Sequence, residues 1–144
     1  MELTEVDGIK ILNDSYNANP TSMTMALETL KGMNTSGNKV AVLGDMLELG
    51  EKSLEFHQKI GNKVKECEID YLFTFGELSS GIAQGAKDKG FEKKNIFSFQ
   101  DKKSLLEKIL EILKLGDVVL FKGSRKMGLE EIVEGLKKLY PVKS

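Results

Sequence analysis

Cysteine, histidine and proline are scarce in this sequence: 144 residues hold one cysteine, one histidine and two prolines. A lone Cys67 excludes an internal disulfide, and with only His57 to accompany it no standard zinc site can be assembled. No apolar run of about eighteen residues is available to span a bilayer. The opening "MELTEVDGIK" lacks the basic start and apolar stretch of an export signal, so a cytoplasmic protein without a membrane partner is expected. Neither sign of charge dominates, with 21 basic against 22 acidic side chains, and the lysines are spread over several amphipathic segments. A basic groove for a nucleic-acid backbone is therefore not expected. Glycine-rich phosphate loops are missing too. No G-x-G-x-x-G follows an apolar run, and "GSRKMG" continues with Leu129 and Glu130 where a phosphate loop needs Lys and Ser or Thr.

What is present is alternation. "KVAVLGD", "YLFTFG", "NIFSF" and "DVVLFKG" are short, apolar on consecutive positions and rich in β-branched or aromatic residues, the pattern of parallel strands covered on both faces. Helical patterns separate them, over residues 22–33, 53–67, 79–89, 101–113 and 129–139. At the start, "LTEV" and "IKILND" flank Asp7-Gly8, a pair that predicts a two-residue hairpin and hence one antiparallel strand. The expectation is one domain over residues 1–144: a doubly wound, Rossmann-like α/β sheet of about six strands, five parallel and one antiparallel, with helices on both faces.

Ligands of open α/β sheets bind beyond the carboxyl ends of the strands. In this chain those ends are polar. "NDSYNANPTSM" follows the second strand of the hairpin, and turn or capping chemistry explains part of it, with Thr21 or Ser22 expected to cap the helix after Pro20. Asp14, Tyr16, Asn17 and Asn19 together offer more donors and acceptors than a backbone turn requires, which suggests a ligand. "GDMLELGE" carries Asp45, Glu48 and Glu51, acids that suit a metal or a base, or equally the positive end of the next helix; no metal site is assigned. His57 and Cys67 read as packed residues of that helix. Lys122 and Arg125 flank the Gly123-Ser124 turn, and two cations so placed could hold a carboxylate or phosphate oxygen, or stay solvated.

"DSYNANPTSM", "LGDMLELGE" with His57 downstream, and "KGSRKMGLE" jointly resemble the C-terminal domain of the Mur ligases, in that family's order and spacing, from the first hairpin to Leu139. The resemblance is to the type that joins D-alanyl-D-alanine to UDP-N-acetylmuramoyl-tripeptide in peptidoglycan synthesis. It implies that ATP, with Mg2+, phosphorylates the tripeptide's terminal carboxylate and that the dipeptide amine attacks the acyl phosphate. It further implies that Asp14 and Asn17 face the reacting groups, and that Asp14, Tyr16, Asn17 and Asn19 face the nucleotide across a cleft between domains. Asp45, Glu48, Lys122, Ser124 and Arg125 would form the rim that places the dipeptide. The N-terminal and central domains of such a ligase, the latter binding most of the ATP and Mg2+, lie outside this sequence. A free-standing module for a nucleotide or small peptide is the competing reading. A signalling domain of the response-regulator kind would need clustered acids where only Asp14 stands.

Overall fold

A computed structural model describes residues 1–139. Its framework is a six-stranded sheet in the order β1-β2-β6-β3-β4-β5, comprising β1 (Glu2–Val6), β2 (Ile9–Asp14), β3 (Lys39–Gly44), β4 (Tyr71–Phe75), β5 (Ile96–Phe99) and β6 (Val118–Lys122). Only β1 is antiparallel to its neighbour, at one edge. The expected architecture of five parallel strands and one antiparallel strand is the one observed. Asp7 and Gly8 have φ of 45° and 82°, the doubly left-handed backbone of a tight hairpin turn. A Cβ at Gly8 would stand 2.0 Å from Leu115 Cδ1, the tip of an exposed side chain that can move aside, so the positive φ is what favours glycine there.

Alternate strand residues feed two cores. Leu12, Ala41, Leu43, Leu72 and Leu120 face α1 (Pro20–Gly32), α2 (Ser53–Glu66) and α3 (Ser80–Asp88). Ile11, Val40, Val42, Phe73 and Phe121 face α4 (Lys102–Ile112) and α5 (Glu130–Leu139). Burial on both sides is why these strands read as continuous apolar runs. Cys67 packs in the first core, where loss of hydration pushes its thiol pKa up. Helices α2 and α3 approach almost to backbone contact. A Cβ on Gly61 would lie 2.0 Å from the Ile82 carbonyl oxygen, and one on Gly85 would lie 2.0 Å from that of Gln58.

The start of α1 corrects one expectation. Neither Thr21 nor Ser22 is the cap: Asn19 accepts a hydrogen bond from the Ser22 N–H at 2.9 Å, and the Ser22 hydroxyl accepts one from the Asn19 N–H at 3.0 Å. This is a reciprocal capping box. Pro20 becomes the first helical residue because its fixed φ suits that position and its missing N–H leaves nothing unsatisfied there.

Candidate functional site

The parallel strands end together. Asp14 pairs in register with Lys122, Leu43 with Lys122 and Gly44 with Phe75, so the turns that follow form one polar rim. Residues 14–19, 45–51 and 123–125, far apart in sequence, are neighbours along it. Hydrogen bonds tie the turns to one another. The Ser124 N–H donates to the Asp45 carbonyl oxygen at 3.0 Å, the Leu47 N–H to Ser124 Oγ at 3.1 Å, and the Ser79 N–H to Asp45 Oδ1 at 2.7 Å. Close backbone approach reinforces them: a Cβ on Gly76, where φ is +114°, would sit 2.5 Å from Asp45 Oδ1. His57, fully buried, fastens the same loop from beneath. Its Nδ1 lies 2.7 Å from the Ser53 carbonyl oxygen and its Nε2 lies 3.1 Å from the Met46 N–H. A neutral ring protonated on Nδ1 satisfies both bonds.

The nine side chains singled out from the sequence divide into three groups. Lys122 and Asp45 are turned inward. Lys122 is 2% exposed and donates to Asp14 Oδ2 at 2.7 Å and to the Asn17 carbonyl oxygen at 2.9 Å. Asp45 is 6% exposed and joined to Ser79. Asn19 is committed to capping α1, and Ser124 to bridging loops. Tyr16, Asn17, Glu48 and Arg125 are exposed, and Asp14 is partly so, with 22% of its side chain accessible. Arg125 lies 4.9 Å from the Tyr16 ring centroid and donates to the Tyr16 hydroxyl at 3.2 Å, so the cation is held in place by the aromatic ring.

Two open cavities meet at Arg125. The larger, about 500 Å³, is lined by Asn13, Asp14, Ser15, Tyr16, Arg125 and Glu130 among others; the smaller, about 200 Å³, by Asn17, Glu48, Ser124 and Lys126 among others. The dimensions suit small polar ligands approached from solvent. Among the described residues no three His, Cys, Asp or Glu side chains converge as a metal site. No helix there is long and apolar enough to cross a membrane.

This rim is found on a known framework. The family model for the Mur ligase, glutamate ligase domain, matches residues 1–125. The chain belongs to the Mur ligase family. It is 45% identical over 137 residues to the UDP-N-acetylmuramoyl-tripeptide–D-alanyl-D-alanine ligase of Bacillus subtilis, covering 94% of this chain and 30% of that protein. To the Escherichia coli enzyme of the same name it is 36% identical over 130 residues, covering 88% and 26%. Among solved structures, the MurF ligase of Thermotoga maritima in complex with ADP superposes with a TM-score of 0.78 at 31% identity, covering 95% of this chain and 30% of that one. MurF of Acinetobacter baumannii gives 0.81 at 30%, with the same coverage. The chain thus spans less than a third of the length of these relatives.

In this Mur ligase domain one group of site residues escaped the sequence reading. Asn13 Nδ2 donates to Glu130 Oε2 at 2.7 Å. Ser15 Oγ lies 2.6 Å from Asn13 Oδ1 and 2.9 Å from Glu130 Oε2. This cluster fastens the first turn of α5 to the end of β2 and forms one wall of the larger cavity. Glu130 is 117 residues from Asn13, and an acid in a first helical turn needs no further explanation from sequence. Only the sheet order, which sets β2 beside β6, brings them together.

Proposed function

We propose that the chain is the C-terminal domain of a cytoplasmic, ATP-dependent ligase that joins D-alanyl-D-alanine to UDP-N-acetylmuramoyl-tripeptide in peptidoglycan synthesis. The observation that carries the reading is 45% identity over 94% of the chain to the Bacillus subtilis ligase of that name. The chemistry of the rim agrees with it. Amide synthesis needs the tripeptide carboxylate activated, as an acyl phosphate derived from ATP, and the incoming amine held against it. Both are problems of positioning and charge. Asp14 and Asn17 are assigned to the side of the reacting groups and, with the exposed Tyr16 ring, to the nucleotide. Asn19 serves the same edge by fixing the start of α1. The Arg125 guanidinium, presented between the two cavities, suits the dipeptide's terminal carboxylate through paired hydrogen bonds. Glu48 stands beside it, and Asp45, Ser124 and Lys122 support the turns from below.

ATP and Mg2+ are assigned mainly to the ligase's other domains, because no turn of this chain has the sequence of a phosphate loop. The rim offers a set of polar groups fitting one side of a nucleotide. The N-terminal and central domains would supply the rest and close the cleft.

A chimera tests the proposal: residues 1–139 replace the corresponding segment of the Bacillus subtilis ligase, and phosphate release is measured with ATP, the tripeptide substrate and the dipeptide. Turnover within about tenfold of the parent, equivalent to 1.4 kcal/mol of barrier, and dependent on the dipeptide, is expected. A folded chimera that forms no product would refute it.

A further inference from the structure

We propose that Lys122 is a positioning residue whose ammonium holds Asp14 and the turn from Ser15 to Asn19 in their working geometry, and that it touches no substrate. The inference rests on the ligase reading above and assigns Lys122 a different task from the dipeptide contact suggested by sequence. A substrate-binding cation has to present N–H groups to solvent. The Lys122 side chain is 2% exposed, while its partner Asp14 is 22% exposed. The ammonium thus lies under the rim and the carboxylate lies at it. Two of its three N–H groups are engaged, one with Asp14 Oδ2 at 2.7 Å and one with the Asn17 carbonyl oxygen at 2.9 Å. Those bonds grip the turn at its beginning and its middle. Side-chain bonds within the turn complete the arrangement, from the Ser15 N–H to Asn13 Oδ1 at 3.2 Å and from the Ala18 N–H to Asn17 Oδ1 at 2.9 Å.

The sequence places this lysine where the task requires. Lys122 ends β6, the central strand between β2 and β3, and in a parallel sheet its stem packs among buried neighbours while its head reaches the strand ends. Burying an ammonium is strongly unfavourable unless a counter-charge and further hydrogen bonds accompany it. Asp14 supplies the charge and Asn17 the second acceptor. The same pairing turns Asp14 Oδ2 inward.

Because a positioning residue acts through its partner, its effect should vanish when the partner's charge is gone. Lys122→Met, Asp14→Asn and the double variant are compared in the full ligase for kcat and for KM of each substrate. In parallel, amide hydrogen exchange is followed in the 144-residue chain. Lys122→Met is expected to lower kcat on the order of 10- to 100-fold, the usual effect of deleting one partner of a charged hydrogen bond, with KM for the dipeptide little changed. Exchange at Ser15, Ala18 and Asn19 should quicken while the strands stay protected. In the Asp14→Asn background the same substitution should lower kcat no further, and Lys122→Arg should restore part of it.

Losses that multiply in the double variant, or a selective rise in KM for the dipeptide, would overturn the proposal in favour of direct contact. The double variant removes both charges and leaves no unpaired ion, so it keeps the test valid if Lys122→Met alone does not fold. A wild-type ligase that forms no amide would refute the ligase reading, whereas unchanged exchange in Lys122→Met would refute the positioning role.

Discussion

At the residue scale, the rim works by assigning side chains to depth. Arg125 is on top, stacked against Tyr16 and linked to its hydroxyl; under the proposed ligase reading this restraint reduces the entropy lost on meeting the dipeptide carboxylate. Arg125→Ala in the full ligase is therefore expected to weaken dipeptide binding by about 1–3 kcal/mol and to leave KM for ATP near its original value; steady-state kinetics on both substrates decide it. Sequence alone singled out Asp14, Tyr16 and Asn17 by the surplus polarity at a strand end and Arg125 as a cation beside a Gly-Ser turn, and the structure places these four at or near the surface of one rim. Depth was not visible. Lys122 and Arg125 are equally cationic as letters, and only the pairing of β6 between β2 and β3 buries one and exposes the other. A different residue gives the domain an acid-sensitive element. Asp101 accepts the Ser104 N–H at 2.9 Å as the cap of α4, and hydrogen bonds from the Ser104 backbone and then its side chain hold the carboxyl below its ordinary value. A carboxyl with a lowered folded-state pKa stabilises the fold above its unfolded pKa of about 4 and loses that contribution as pH falls through the folded value. Asp101→Asn retains a capping acceptor without the charge. Its melting temperature should fall less steeply than the wild type's as pH drops below about 4.

At the element scale, the contact between α2 and α3 sets where the loop carrying Glu48 enters its helix. Gly61 and Gly85 allow each helix to rest on the other's backbone, and neither site has space for a methyl group. Gly61→Ala or Gly85→Ala should destabilise the domain by about 1–3 kcal/mol or more, against the usual gain of roughly 0.5–1 kcal/mol when a helical glycine becomes alanine. Denaturant titration reads the sign directly. A stabilised variant would mean that the helices can separate without loss. The elements themselves were legible because their periods differ: unbroken apolar runs for strands buried on both faces, wide apolar stripes for the covering helices, and Asp7-Gly8 for the hairpin. The helix glycines were not, since glycine inside a helical pattern reads as a weakness until the partner helix is placed across it. The capping box shows another limit. Asn19, Thr21 and Ser22 are all competent caps, and the choice among them follows from Pro20 occupying the first helical position.

At the scale of the whole molecule, the proposed function makes the polar rim one wall of a site. Two buried cores flank a continuous sheet, so the 144-residue chain should unfold cooperatively without a partner. The side chains proposed for the ligase chemistry, by contrast, line open cavities. Phosphoryl transfer calls for a backbone-lined loop, its lysine and a bound magnesium around the triphosphate. The lysine of "KGSRKMG" that ends a strand is occupied beneath the rim with Asp14 and Asn17. The following turn continues with Leu129, fully buried, where a phosphate loop has Lys. Contact with one side of ATP should then yield millimolar affinity or weaker, about 4 kcal/mol of binding free energy at most. Isothermal titration of the chain with ATP and magnesium is expected to show this weak binding, and phosphate release with the tripeptide substrate and D-alanyl-D-alanine should be absent. A free-standing nucleotide or peptide module would instead bind its ligand in the micromolar range from this one wall. Micromolar binding accompanied by turnover would show that the rim is a complete site and that the remaining two-thirds of its relatives' length is dispensable for the chemistry.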